Sequence, residues 1–128
     1  MSKKHRTKKQ AEAGDNHDGY RCRGRTWIEG KDGTFLGYGR VVLLERIRDT
    51  GSISRAAKTM EMSYKHAWDL VDSMNRQAKV PLVEKVSGGR GGGGTRLTEA
   101  GERAIASFRT LHARLEKFLA EESNRLEF

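Results

Sequence analysis

Apolar residues in the middle of the chain recur at the three- and four-residue spacing that is typical of amphipathic helices. A first helix is predicted from about residue 39 to residue 50. Its expected buried residues are Val41, Leu44 and Ile47, with Leu43 alongside. A second, short helix is predicted around Ala56 and Ala57, whose small side chains would let another helix approach closely. A third helix is predicted over residues 63–79. Its apolar side consists of Ala67, Val71, Met74 and Ala78.

The residues between these helices carry start and stop signals. Gly51 suits the end of the first helix because glycine adopts a left-handed conformation without steric cost. Ser52 and Ser63 are each placed to cap the helix that follows, with the hydroxyl accepting a free backbone N–H. A short helix, a tight break and a longer capped helix are the parts of a helix-turn-helix. The alternative is an ordinary helical hairpin.

A β-hairpin is predicted directly after the third helix, over residues 82–97. Pro81 suits the start of a strand, Val83 and Val86 are β-branched, and six glycines between residues 88 and 94 permit a turn at the tip. A hairpin in this position is the wing of a winged helix. The glycines also fit a dinucleotide-binding pattern, but that motif requires a helix that opens from its last glycine, and Thr-Arg-Leu follows here instead.

A long C-terminal helix is predicted over residues 98–122, with Thr98 as its cap and Glu99 in its first turn. Its apolar residues follow a heptad-like spacing. They are Ala104, Phe108, Leu111, Leu115 and Phe118. One interpretation is that the last four pair with a second copy of the chain in a homodimer. The alternative is that this side packs on the first helix of its own chain. Residues 123–128 are expected to be frayed.

The residues before the first helix predict a small β-hairpin. Two short strands flank an Asp-Gly turn at residues 32 and 33, and Trp27 and Phe35 are expected on one face as a cross-strand pair. Packing is its favoured role, with a dimer contact as the alternative. The predicted fold is therefore mainly α with a small β component (α+β). It is a winged helix-turn-helix domain over residues 25–122, with an N-terminal β-hairpin and a long C-terminal helix.

Composition and charge agree with one small domain and a basic tail. The chain has 128 residues and a formal net charge of +8, of which +5 falls within residues 1–25. Residues 1–24 are poor in apolar side chains and are predicted to be disordered. This tail is expected to be either a phosphate-binding arm or a solubilising leader. The positive charge favours a polyanionic partner.

Several functional classes find no support in the sequence. There is one cysteine, Cys22, which indicates a reducing compartment. No apolar run is long enough to span a membrane, so a cytoplasmic protein without membrane association is expected. No nucleophile-and-base arrangement is recognisable, and His5, His17 and Cys22 are too scattered for a metal site. The chain is therefore predicted not to be an enzyme, and no cofactor or metal is expected.

Three segments resemble the N-terminal DNA-binding domain of the molybdate-responsive regulators of the ModE type, within the wider LysR-like winged-helix group. They are the Gly-Ser-Ile-Ser start at residue 51, the Met-Ser-Tyr-Lys-His-Ala-Trp-Asp run at residue 62 and the Gly-rich wing ending in Thr-Arg-Leu-Thr. The resemblance covers residues 25 to 120 and implies a dimeric transcription factor that binds palindromic DNA. Full-length members carry C-terminal domains that bind molybdate. The sequence ends before such domains would begin, so molybdate binding is not expected of it.

The predicted partner is double-stranded DNA, in the form of an inverted repeat, with the third helix in the major groove and the wing on phosphates or in the minor groove. The candidate DNA-binding residues are Ser52, Ser54, Arg55, Ser63, Tyr64, Lys65, His66, Arg76, Arg90 and Arg96. Lys65 can donate to guanine. Asp69 either pairs with Lys65 or accepts from a cytosine amino group, and Trp68 is expected in the core.

Two further hypotheses concern partners and function class. A separate chain could carry a sensor for this protein. The alternative function is a winged-helix protein–protein module with only non-specific affinity for nucleic acids.

Overall fold

The computed structural model describes residues 19–89 and 92–128, which form two compact units. One unit is Trp27–Arg109. The other combines residues 19–26 with Thr110–Phe128. The long C-terminal helix contributes residues to both.

The elements follow the predicted order. They are β1 (Ile28–Gly30), β2 (Gly33–Leu36), α1 (Tyr38–Thr50), α2 (Ile53–Thr59), α3 (Tyr64–Gln77), β3 (Val83–Gly89), β4 (Gly92–Leu97) and α4 (Glu99–Ser123). Each pair of strands forms its own two-stranded antiparallel sheet. The predicted α+β winged helix-turn-helix is therefore confirmed.

The helix boundaries follow the capping signals in the sequence. Gly51 ends α1 with φ of +71°, in the left-handed region that favours glycine. The hydroxyl of Ser52 accepts the backbone N–H of Arg55 at 3.1 Å, and that of Ser63 accepts the N–H of His66 at 3.0 Å. Thr98 caps α4 in the same way. These bonds satisfy N–H groups that the first turn of a helix leaves free.

The core of the unit Trp27–Arg109 lies between β2, α1, α2, α3, the wing and the first half of α4. Its buried residues are Leu36, Val41, Leu43, Leu44, Ile47, Ile53, Ala56, Ala57, Ala67, Val71, Met74, Leu82, Val83, Ile105 and Phe108. The four residues expected from α1 are all fully buried. Ala56 and Ala57 are buried as well, which agrees with a close approach of neighbouring helices.

Phe108 corrects one sequence-based prediction. The heptad-like spacing groups it with the residues predicted to pair with a second copy, but it is fully buried in the core of its own unit, beside Ile105. It therefore has no surface for a second copy. Leu111 and Phe118 remain exposed and Leu115 is half-buried. For Phe108, the alternative that this side of α4 packs within its own chain is the correct one.

The β1–β2 hairpin turns at Gly33, whose φ of +97° requires the conformational freedom of glycine. The predicted pairing of Trp27 with Phe35 does not fit the register. Ile28 pairs with Leu36 and Glu29 with Thr34, so Phe35 is the extra residue of a β-bulge. Phe35 packs against the core, while half of Trp27 is exposed. The hairpin thus has the packing role that the sequence favoured.

The second unit holds the residues just before β1 against the end of α4. The backbone N–H of Cys22 donates to the Ser123 hydroxyl at 2.7 Å, and the rings of Tyr20 and Phe128 lie 5.2 Å apart, edge to face. Of the tail predicted to be disordered, residues 1–18 lie outside the described residues, whereas residues 19–24 belong to this unit. Ser123, at the start of the segment expected to be frayed, is fully buried.

Candidate nucleic-acid interface

The turn between α2 and α3 is held by backbone hydrogen bonds and by two methionines. The N–H groups of Met60 and Met62 both donate to the Ala57 carbonyl, at 3.0 and 3.1 Å. Glu61 between them adopts φ of +55°, which is uncommon for a residue with a Cβ. Both methionine side chains pack against the core. This turn fixes the angle at which α3 leaves the domain.

The back of α3 is bonded to its neighbours through polar side chains that the sequence reasoning missed. Asn75 accepts the N–H groups of Leu82 and Val83 at 2.8 and 3.2 Å and donates to the Val83 carbonyl at 2.9 Å. Gln77 donates to the Thr34 carbonyl at 3.0 Å and accepts the N–H of Asp32 at 3.2 Å. The helix is therefore attached to β3 on one flank and to the first hairpin on the other.

Arg40 adds a third anchor for α3. Its guanidinium donates to the Ser73 hydroxyl at 3.0 Å, and burial lowers its pKa from the ordinary value. A guanidinium nevertheless stays protonated at neutral pH. The available sequence signal for these anchors was the presence of polar residues beside the apolar stripe of α3, such as Asn75 next to Met74.

The N-terminal turn of α3 presents four consecutive predicted contact residues to solvent. Ser63, Tyr64, Lys65 and His66 are all exposed, and the Lys65 side chain is 82% exposed. The hydroxyl of Ser63 also caps the helix. Because the opposite side of α3 is buried, these side chains form a rigidly supported outer surface.

The start of α2 lies beside this turn. Ser54 and Arg55 are exposed, whereas Ser52 is half-buried and its oxygen is engaged in capping. Ser52 therefore combines the predicted contact position with a structural role. A hydroxyl whose oxygen accepts a helix N–H still has its own proton to donate.

The wing places Arg96 opposite Glu84, and the two form an ion pair at 2.8 Å between the strands. Both side chains are exposed. Arg90, predicted at the tip of the wing, lies outside the described residues.

Trp68 corrects a further prediction, because it is not in the core. It is 43% exposed and lies one helical turn after Tyr64, which is 55% exposed. Both line a groove of about 480 Å³ between the start of α2, α3 and the wing. The other lining residues are Ser52, Ile53, Ser54, Val71, Asp72, Asn75, Val83, Glu84, Lys85, Val86, Gly94 and Thr95. The wing approaches Trp68 without covering it.

The acidic residues of α3 pair with cations on the same helix. The Nζ of Lys65 lies 3.2 and 3.1 Å from the two carboxylate oxygens of Asp69. The Nε of Arg76 lies 2.9 Å from Asp72, and its Nη1 lies 3.6 Å from Asp32 of the first hairpin. Asp69 thus makes the pairing that the sequence suggested. The exposed surface of α3 therefore carries both positive and negative side chains and is not uniformly basic.

Groups of at least three metal-ligating side chains are absent from the part of the chain that the structure describes. In the same part, no helix is both long and apolar enough to cross a membrane.

Comparison with known proteins identifies the fold element described above. The model of bacterial regulatory helix-turn-helix proteins, lysR family, matches residues 39–102, which is half of the chain. The match begins in α1 and ends in the first turn of α4, so it includes α2, α3 and the wing. The first hairpin lies outside it.

Three curated relatives illustrate the similarity. The molybdenum transport protein ModE of Azotobacter vinelandii is 50% identical over 94 residues, which are 73% of this chain and 35% of that protein. The molybdenum-pterin-binding protein MopB of Rhodobacter capsulatus is 43% identical over 107 residues, 84% of this chain and 39% of that protein. The DNA-binding transcriptional dual regulator ModE of Escherichia coli K12 is 48% identical over 66 residues, 52% of this chain and 25% of that protein.

The chain therefore spans between a quarter and two-fifths of the length of these relatives. The resemblance to ModE-type regulators is confirmed. The prediction that the chain is not an enzyme is confirmed as well, since the matched family is one of regulatory proteins and the Escherichia coli relative is named a transcriptional regulator. With half of its residues matched, the chain belongs to the lysR family of bacterial regulatory helix-turn-helix proteins.

Proposed function

We propose that the chain is a dimeric, sequence-specific DNA-binding regulator of transcription. The N-terminal turn of α3 reads base edges in the major groove, and the wing contacts the adjacent phosphates or the minor groove. A second copy supplies the symmetric half, so the preferred DNA is an inverted repeat.

The observation that carries this proposal is the exposed N-terminal turn of α3 on a firmly anchored helix. Reading bases requires side chains held in a fixed register, since a loosely held helix loses the discrimination that hydrogen-bond geometry provides. Asn75, Gln77 and Arg40 bond the back of α3 to neighbouring elements. The front carries Tyr64 and Lys65, whose polar groups can reach bases or phosphates.

The cations of the interface divide into two proposed roles. Lys65, in the first turn of α3, donates to the O6 and N7 acceptors of guanine. Arg76 and Arg96, further along the surface, neutralise phosphates and contribute affinity without base preference. Ser54 and Arg55 extend the phosphate contacts to the start of α2, and Arg90 is proposed to extend them to the tip of the wing.

The relatives support DNA binding and leave the signal open. One of them is named a DNA-binding transcriptional dual regulator, and others are named for molybdenum or molybdenum-pterin. Since this chain aligns with at most 39% of those three proteins, we confine the proposal to the DNA-binding step. A sensor on a separate chain is compatible with it.

The decisive experiment is selection of bound sequences from a random duplex pool, followed by titrations of the selected site and of random duplex over a range of salt concentrations. We expect inverted repeats and a steep fall of log affinity with log salt, of about 0.9 per neutralised phosphate. A weak, nearly salt-independent affinity without sequence enrichment would contradict the proposal and favour a protein–protein module.

Two substitutions test the division of roles in the same assay. Lys65→Ala should weaken binding to the selected site by about 1–3 kcal/mol and have a smaller effect on random duplex. Arg96→Ala should weaken binding to both DNAs by similar factors and reduce the slope of log affinity against log salt by at most the contribution of one phosphate, about 0.9. Equal losses on both DNAs for Lys65→Ala would make it a phosphate contact.

A further inference from the structure

Each described cation that is proposed to touch DNA from α3 or the wing is held by a carboxylate. Lys65 pairs with Asp69 at 3.1 Å, Arg76 with Asp72 at 2.9 Å, and Arg96 with Glu84 at 2.8 Å. The first two pairs join consecutive turns of α3, and the third joins the two strands of the wing. These three cations are therefore each paired with a carboxylate before DNA binds.

Arg76 is held from two elements. Asp72 reaches it from one turn earlier on α3, and Asp32 reaches it at 3.6 Å from the turn of the first hairpin. That hairpin is attached to α3 through Gln77, so the Asp32 carboxylate is a fixed neighbour. A phosphate that contacts Arg76 must compete with both carboxylates.

These ion pairs are weak enough for DNA phosphates to displace the carboxylates. All six side chains are at least 40% exposed, and ion pairs at such positions contribute little to stability because water and salt screen them. A phosphate offers the same cation an equally charged acceptor and releases a counterion as it binds. Binding therefore exchanges one anionic partner for another.

Resting on the proposed function, we propose that Asp72 and Glu84 are affinity-limiting residues, which mask Arg76 and Arg96 in the free protein and must be displaced by DNA phosphates. Substitution of either carboxylate therefore strengthens DNA binding. Residues that contact DNA differ in the direction of this change, because their substitution weakens binding.

The test measures binding of Asp72→Asn and Glu84→Gln to random duplex by fluorescence anisotropy at several salt concentrations. Each variant should bind about two- to five-fold more tightly than wild type at low salt, the range set by an exposed ion pair. The gain should shrink as salt rises, and the salt dependence should steepen by up to about 0.9 for each cation released. Thermal melts should change little.

A matched control separates masking from net charge. Glu99→Gln removes the same charge from α4, where its side chain is 97% exposed and only loosely paired with Arg103, at 4.0 Å. This variant should bind DNA much as wild type does. If Asp72→Asn and Glu84→Gln gain no more than Glu99→Gln, the masking role is overturned.

A double-mutant cycle separates masking from simple repulsion of the DNA by the carboxylate. In an Arg76→Gln background, Asp72→Asn should lose its gain, because no cation remains to be released. A gain of full size in that background would overturn the proposal.

Lys65→Ala, measured in parallel, distinguishes failure of the masking role from failure of the proposed DNA-binding function. Wild-type binding that is weakened by Lys65→Ala but unaffected by Asp72→Asn and Glu84→Gln removes only the masking role. A wild type that binds no duplex removes the proposed function and the masking role together.

Discussion

The backbone N–H of Thr95 donates a hydrogen bond of 3.0 Å to the carbonyl oxygen of Gly51. This bond joins strand β4 of the wing to the turn between α1 and α2. The two backbones approach so closely that a Cβ built on Gly94 would lie 2.6 Å from the same carbonyl oxygen. The wing is thus fixed to the helix-turn-helix by main-chain contact, and Gly94 is required because any larger residue would separate the two.

The first prediction follows from this contact. Gly94→Ala should displace the wing, because the clash is with backbone and no side-chain rotation relieves it. We expect a loss of stability of about 1–3 kcal/mol, typical of overpacking, and weaker binding to all duplexes. Gly39→Ala is the matched control, since its Cβ would meet no atom within 4 Å and alanine favours the α1 helix. Equal melting temperatures and affinities for the two variants would contradict the role given to Gly94.

A second prediction concerns the two exposed aromatic residues of α3. Trp68 lies one turn after Tyr64 on the flank of the proposed reading turn, and an apolar surface there suits the C5-methyl group of thymine. We expect the selected half-site to contain thymine. Replacing that thymine with deoxyuridine should cost about 0.8 kcal/mol for each methyl group that Trp68 covers.

The Trp68→Ala variant supplies the control for this measurement. It should bind the thymine site less tightly than wild type and should not distinguish thymine from deoxyuridine. Deoxyuridine placed outside the half-sites should have no effect on either protein. If wild type is equally indifferent to the methyl group within the half-sites, Trp68 serves another purpose.

The helix-turn-helix could be predicted from the sequence because its signals are local. Gly51, Ser52, Ser63 and Thr98 each determine a helix boundary through bonds to residues three or four positions away. The apolar spacing of α1 likewise identified its buried side. Such features depend on a single turn of chain, so the residues themselves specify them.

The positions of Trp68 and Phe108 could not be predicted, because they depend on which distant element arrives at each helix face. Trp68 borders the buried stripe of α3, and only the distance to the wing decides whether it is covered. Phe108 continues a heptad-like apolar spacing in the sequence, yet it is buried in the core of its own unit. Periodicity shows that a helix has an apolar side but does not identify the partner of that side.

A third prediction concerns the N-terminal segment. Deleting residues 2–18 removes five Lys or Arg and three Asp or Glu residues and should lower affinity for random duplex. It should leave the melting temperature unchanged. Deleting residues 2–23 should in addition lower the melting temperature, because the contacts of Tyr20 with Phe128 and of Cys22 with Ser123 are lost. Equal melting temperatures for the two deletions would contradict the structural role of residues 19–23.

The last prediction concerns assembly through α4. Leu111 and Phe118 are exposed, Leu115 is half-buried, and the three lie on one side of the helix at a spacing of four and three residues. We expect them to form a symmetric contact with a second copy. Phe108, which the sequence grouped with them, belongs to the core, and Phe108→Ala should lower the free energy of unfolding by about 3–5 kcal/mol.

Substitution with glutamate tests whether these exposed residues of α4 form the dimer contact. Replacing both Leu111 and Leu115 with Glu would bury like charges against their symmetry mates, so the variant should be monomeric in light scattering while keeping its helical circular dichroism. Ala113→Glu, exposed on the opposite side of α4, should stay dimeric. The monomeric variant should bind an inverted repeat no better than a single half-site, since it cannot place two α3 helices on one duplex. A wild type that scatters as a monomer at micromolar concentration and binds half-sites as tightly as inverted repeats would exclude the dimer.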